Sequence, residues 1–334
     1  MAANWRTWSA GLGALIALGA APVGAQAQTS PTPTSPLPAA ASDALPFTLK
    51  LLGPGVYAAI DGPQGKSGSN AGFVIGDDGV AVIDSFFNPA AAKALLGEIR
   101  RLTPLPVKYV INTHYHADHT GGDAVFKDAG AVIIAHRNVR GWVRTENLHL
   151  FGDRITPAIK AQVEALPLPD IVLDKDLTIW LGARRVDVRM ERGHTGGDLV
   201  VSVPDAHALF CGDLLWRRFA PNIIDGTVPL WIATDKAFAS LPDAAEMKYV
   251  PGHGDVANAQ DVKDAAAYLT ELTALVRDGV RHGLKDKALA EAVLPKLKAR
   301  YPDWIAVDRG GPREIGFIEA ELKGAKRTPV PVKD

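Results

Sequence analysis

The stretch Thr113-His114-Tyr115-His116-Ala117-Asp118-His119-Thr120-Gly121-Gly122 constrains this chain more than any other. It packs three imidazoles and a carboxylate into one short loop, and neutral imidazole and carboxylate are the donors that Zn²⁺ and similar borderline cations prefer. The apolar run at 107–112 reads as a strand that delivers the loop, 120–129 reads as a helix, and 131–135 as the next strand. Strand–helix–strand alternation predicts parallel pairing, and sites in such sheets gather at the carboxyl ends of strands. In an extended segment, His-x-His sends two imidazoles to the same side. The Asp118-His119 pair then turns toward a second point, so this one loop can serve two neighbouring cations.

Further donors leave other predicted strand ends among glycines, where the backbone can approach closely. They are His194 in Gly193-His194-Thr195-Gly196-Gly197-Asp198, Asp213 after Gly212, and His253 in Pro251-Gly252-His253-Gly254. The strands expected around them lie at 177–181, 185–189, 199–203, 208–211 and 249–250. Upstream, 47–60 reads as two strands around Gly53-Pro54-Gly55, and 71–75 with 80–84 as a hairpin across Gly76-Asp77-Asp78-Gly79. Helical spacing marks 89–103, 155–165, 234–241, 261–282 and 285–298, whereas 137–151 has no clear period and the tail from 329 reads as loose.

Four such sites in this order resemble the metallo-β-lactamase-fold superfamily, over about 56–255. The resemblance implies an α+β fold, a four-layer αββα sandwich of two mixed β-sheets with outer helices, and a dinuclear site along one edge. It implies that His114, His116 and His194 bind one metal, that Asp118, His119 and His253 bind a second, and that Asp213 bridges them. Asp84 matches the acidic position that supports the metal loop. Two Zn²⁺ per chain are expected, with iron or manganese compatible with the same donors. The implied reaction is hydrolysis, with a metal-bridging hydroxide attacking the carbonyl of a small ester, lactone, thioester or amide, and with Asp118 as the catalytic side chain that orients the nucleophile and shuttles its proton. The superfamily's true β-lactamases usually carry Cys or Ser where this chain has Asp213, so the bridging aspartate is closer to the glyoxalase II and lactonase branches. Cys211, two residues earlier, would share a face with Asp213 in a regular strand and is expected to be a buried strand residue. The alternatives are a periplasmic metallo-β-lactamase and an iron-dependent oxidoreductase on the same fold. No Gly-x-Ser-x-Gly elbow offers a separate nucleophile.

Composition bounds the partners. A net charge of −1 over 334 residues gives no electrostatic case for nucleic acid or an anionic membrane surface. A neutral small molecule or peptide-sized substrate fits at least as well, and the resemblance implies a small-molecule carbonyl substrate. Trp142, His149, Phe151, Trp216, Arg217, Arg218, Phe219 and Trp231 fall in segments expected near the metal edge, as an apolar wall with an arginine for a substrate carboxylate. Residues 1–27 read as a signal peptide, with Arg6, a short apolar run at 10–21 and the small-x-small site Ala25-Gln26-Ala27. The apolar run is too short for a comfortable membrane span, so the product is expected to be periplasmic or secreted, with no stable membrane insertion after cleavage. A Pro-rich linker follows at 28–45, then the metallo-β-lactamase-like domain at 46–282 and a helical extension with tail at 283–334. Cys211 is the one cysteine, so no intramolecular disulfide can form. The oligomeric state has no signature in the sequence.

Overall fold

The structure, a computed structural model, describes residues 45–333 apart from Pro63. The expected signal peptide and, but for Leu45, the expected linker lie outside the described residues.

The chain builds two mixed sheets. The first holds β1 (Phe47–Gly53), β2 (Val56–Asp61), β3 (Ala71–Ile75), β4 (Val80–Ile83), β5 (Val107–Ile111), β6 (Val132–His136) and β7 (Ile171–Leu173), side by side in chain order. Its first four strands form an antiparallel meander, and β4 through β7 run parallel. The second holds β8 (Leu177–Leu181), β9 (Arg184–Glu191), β10 (Asp198–Val203), β11 (Ala208–Trp216) and β12 (Lys248–His253) in the order β12-β11-β10-β9-β8, parallel only between β11 and β12.

Period-two alternation assigns each strand's two faces. In β4, Ala81 and Ile83 point between the sheets, while Val80 and Val82 point outward to α1 (Pro89–Leu102). In β11, Ala208 and Phe210 face the inter-sheet core, while Leu209 and Cys211 face a helical layer of α7 (Val228–Phe238), α8 (Ala259–Arg281), α9 (Asp286–Arg300) and α10 (Val307–Leu322). The αββα sandwich implied by the resemblance is the observed fold. Fully burying each Val, Leu, Ile or Phe of these layers contributes roughly 1.5–3 kcal/mol.

The helices start where the sequence caps them. Asn88 accepts a hydrogen bond from Ala90 N at 2.9 Å ahead of Pro89. Asn258 and Asp261 form a reciprocal capping box at the start of α8.

Some expectations need correcting. The helix expected at 120–129 is two pieces, α2 (Ala117–Thr120) and α3 (Asp123–Asp128), broken at Gly121-Gly122. A Cβ on Gly122 would lie 2.2 Å from Ser85 O and one on Gly121 2.3 Å from Phe87 O, so the break seats the metal loop against the end of β4. Residues 137–151 fold as α4 (Arg137–Trp142) and α5 (Thr145–Phe151), followed by α6 (Pro157–Glu164). The tail is pinned as a strap: Lys326 Nζ donates to Gly226 O, Arg327 pairs with Glu146 at 2.8 Å, Trp142 Nε1 donates to Val330 O at 2.8 Å, and Val332 N donates to Asn138 Oδ1 at 2.8 Å.

Candidate metal centre

The donor loop leaves the carboxyl end of β5 and is anchored before it reaches its first histidine. Thr113 donates twice to Asp84, from N to Oδ1 at 2.7 Å and from Oγ1 to Oδ2 at 2.8 Å. Asp84 Oδ2 also meets His119 Nδ1 at 2.8 Å, which turns the other ring nitrogen inward. Asp84 therefore takes the supporting place expected of it, at a left-handed backbone with φ 56°. From the opposite side, Leu199 N donates to Thr113 O at 2.7 Å, and Asp198 accepts from the backbone of His194 and Thr195 at 3.0 and 2.9 Å.

The seven donors named in the sequence come together as two groups, His114, His116, His194, Asp213 and Asp118, His119, His253, Asp213, each with its donor atoms within 4.8 Å of one another. Asp213 gives one oxygen to each. Its Oδ2 lies 3.3 Å from His194 Nε2 and 3.8 Å from His114 Nε2, and its Oδ1 lies 3.0 Å from His119 Nε2 and 3.5 Å from His253 Nε2. His194 Nε2 is 3.0 Å from His116 Nδ1, and Asp118 Oδ2 is 3.2 Å from His253 Nε2. Tetrahedral coordination at about 2.1 Å per bond spaces its donors about 3.4 Å apart, the middle of this range. His114 Nε2, His119 Nε2, His253 Nε2 and Asp213 Oδ1 are all buried with no hydrogen-bond partner. Lone pairs turned on one another this way are costly unless a cation sits between them, so the donor set fits two small divalent cations.

The two groups differ electrostatically. Burial drives His114 well below the ordinary histidine value and His194 down to about 3, so both are neutral bases. In the second group burial also opposes charge, but Asp213, Asp118 and Asp84 outweigh it and hold His119 well above its ordinary value, and Asp213 and Asp118 raise His253 to about 9. Asp213 pays a burial cost, yet His119, His253 and His194 hold it far below the usual carboxylate range. The opening is on the second side, where Asp118 is 32% exposed and His253 16%, against 2% for His114.

Glycines make room for the bridge. Gly212, at φ 52°, breaks the alternation of β11: Cys211 stays in the helix-side core and Asp213 swings to the metal edge, so the two do not share a face as a regular strand would have it. A Cβ on Gly252 would lie 1.8 Å from Asp213 Oδ1. Asn70 fixes the loop behind it, donating from Nδ2 to Pro251 O at 2.8 Å and Gly254 O at 2.7 Å.

Other supports carried no sequence signal. Asp225 accepts a hydrogen bond from Tyr115 Oη and lies 3.5 Å from His116 Nε2, more than a hundred residues away in the chain. Of the proposed wall, Trp216 stacks on His253 at 4.0 Å and Trp231 meets His194 edge-on at 5.1 Å. Trp142 is buried against Tyr115, Arg217 is ion-paired to Asp261 at 3.0 Å, and His149 is exposed.

Comparison with known proteins agrees with this geometry. Residues 65–274 match the family model described as metallo-beta-lactamase superfamily. The chain is 28% identical over 203 residues to a metallo-beta-lactamase type 2 of Bacteroides fragilis, covering 59% of this chain and 73% of that protein. It is 23% identical over 269 residues to a hydroxyacylglutathione hydrolase of Hyphomonas neptunium, covering 77% and 93%. In fold it is similar to a metallo-beta-lactamase from Pontibacter korlensis, with a TM-score of 0.53 and 20% identity over 67% of this chain and 99% of that one. With a family model covering well over half of its length, the chain belongs to the metallo-beta-lactamase superfamily and is a metal-dependent hydrolase.

Proposed function

We propose that the chain is an exported dinuclear zinc hydrolase that cleaves the acyl C–O or C–S bond of a small ester, lactone or thioester. The observation that carries this reading is the split carboxylate of Asp213, one oxygen facing each group of imidazoles. Its ligands would be His114, His116, His194 and Asp213 for one zinc, and Asp118, His119, His253 and Asp213 for the other. Bound there, the cations would supply a Lewis acid for the carbonyl oxygen and an acidified water.

The chain's own residues do the rest. Asp118 Oδ2 lies at the open side, 3.2 Å from His253 Nε2, where it can take a proton from the attacking water and hand it to the leaving group. Trp216, flat against His253, holds that imidazole in place and keeps bulk water off one flank. Asp84 and Asp225 keep His119 and His116 oriented. Export rests on the signal-like residues 1–27 and makes the working compartment the periplasm or beyond.

The Bacteroides fragilis relative supports a second reading, in which a β-lactam amide is the bond opened. A turnover panel on zinc-loaded protein separates the two: aryl esters, acyl-homoserine lactones and an acyl thioester against nitrocefin, with His116→Ala as control. Esters, lactones or thioesters turned over well ahead of nitrocefin, at two zinc ions per chain by mass spectrometry, is the expected outcome. Rapid nitrocefin hydrolysis favours the second reading, and one iron per chain overturns both.

A further inference from the structure

Beside the metal edge lies a cleft of about 270 Å³ whose walls include Trp216, Asn222, Phe317 and two arginines, Arg154 and Arg313. Arg154 follows α5 and Arg313 belongs to α10. The cleft is tied to both halves of the centre. Its wall Trp216 stacks on His253 at 4.0 Å, and Arg313 feels the charge of Asp225, which faces His116.

The arginines are available. Among the described residues neither is ion-paired. Arg154 Nη2 donates only to Leu150 O at 3.1 Å, and the Arg313 guanidinium lies over the Phe317 ring at 5.3 Å. Both are exposed, and each repels the other's charge. Two acids act on Arg313: Asp225, which is already engaged by Tyr115 and His116, and Glu314, which lines the cleft but accepts from Tyr268 Oη at 2.9 Å and is raised by burial to about 8. Two guanidinium groups lining one cleft, neither of them ion-paired, form a receptor for an anion, since arginine matches carboxylate oxygens in a planar fork. Arg217, the arginine that sequence favoured for this role together with Arg218, is held by Asp261 instead.

We propose that Arg154 and Arg313 form an anion subsite for a carboxylate on the substrate, set back from the scissile carbonyl across Trp216. This rests on the hydrolase reading above for its substrate half, and on the cleft alone for its binding half. The substrate class is then a carboxylate-bearing ester, lactone or thioester, and neutral esters are poor substrates.

Two measurements on zinc-loaded full-length protein test it. The first compares kcat/KM for 4-nitrophenyl acetate with that for the mono-4-nitrophenyl ester of glutaric acid. The wild type is expected to favour the carboxylate-bearing ester by about tenfold or more, as a charged hydrogen bond allows. Arg154→Ala/Arg313→Ala is expected to lose about tenfold of that ratio, mainly through KM, and Arg313→Glu to reverse it. An unchanged ratio in these variants overturns the substrate half. The second is calorimetric titration with benzenesulfonate, an anion that ligates zinc poorly. Binding by the wild type that is weakened about tenfold in the double variant supports the subsite. Equal binding in both, or none in the wild type, overturns it, and does so even if neither ester is turned over, which would count against the hydrolase reading instead.

Discussion

Two carboxylates divide the work of aiming the imidazoles. Asp84 turns His119 from its Nδ1 side, and Asp225 faces His116 from its Nε2 side. Removing such a support typically costs ten- to a hundredfold in metal affinity. Asp225→Asn is therefore expected to weaken the first cation about tenfold or more while sparing the second, and Asp84→Asn to weaken the second most. Stepwise competition against a chromogenic chelator reads both, and equal losses at both steps in either variant would count against this division. The same groups set a pH dependence. His119 is raised well above its ordinary value and His253 to about 9, so at neutral pH the second cation must displace protons to bind. Its affinity should fall as pH falls below about 9, by about tenfold per unit for each proton released. At the first cation, burial keeps His114 and His194 neutral, with His194 held down to about 3. Its affinity should therefore vary with pH less steeply than that of the second, and a slope at the first step equal to that at the second would contradict the assignment.

At the level of elements, β11 and β12 bring Asp213 and His253 together, and the side-chain-free Gly252 lets them approach. Gly252→Ala puts a methyl group where Asp213 Oδ1 lies. Because the backbone at this position is not left-handed, the chain can still fold. The expected result is a near-native circular dichroism spectrum, fewer than two metals per chain, and a fall in kcat of about a hundredfold, the usual cost of misplacing a reacting group by an ångström. Full metal content with wild-type turnover would refute it. These elements were unevenly legible from sequence. The hairpin of β3 and β4, the helix α1 and the loop at 113–122 announce themselves through alternation, caps and donor spacing. By contrast, α10 carries Gly310, Gly311 and Pro312 in its early turns, residues that penalise a helix by their own propensity, and only packing of Ile315 and Ile318 against the core overrides them. At 137–151, Gly141 and scattered charged residues hide two short helices that owe their order to Trp142 and Val139 in a small separate core. The seven donors were readable from the close spacing of His114, His116, Asp118 and His119 and from the glycines beside His194, Asp213 and His253. Asp225 was not, because nothing near it in sequence distinguishes it from a turn aspartate.

For the whole molecule, the helical layer that houses the cleft also sets how stability responds to pH. Glu314 is raised to about 8 by burial, against an ordinary value of 4.5. Between those values the folded protein keeps a proton that the unfolded chain has released, so stability falls as pH rises through that window and levels off above about 8. Glu314→Gln keeps an acceptor for Tyr268 and removes the titration. Urea unfolding at pH 6 and pH 9 should show the wild type losing on the order of 1–3 kcal/mol relative to the variant at the higher pH. Parallel pH profiles would show that Glu314 is not responsible. Asp123 and Asp198, each raised to about 7 by burial, add to the wild-type decline and should remain in the variant. Finally, the strap at 326–332 braces Trp142, Trp142 braces Tyr115, and Tyr115 shares Asp225 with His116. All of the donors leave the ribosome before this brace does, because the last of them is His253. A cation caught on the nascent chain would meet a loop still lacking this support, so the centre is expected to hold its cations most tightly only once the strap has closed.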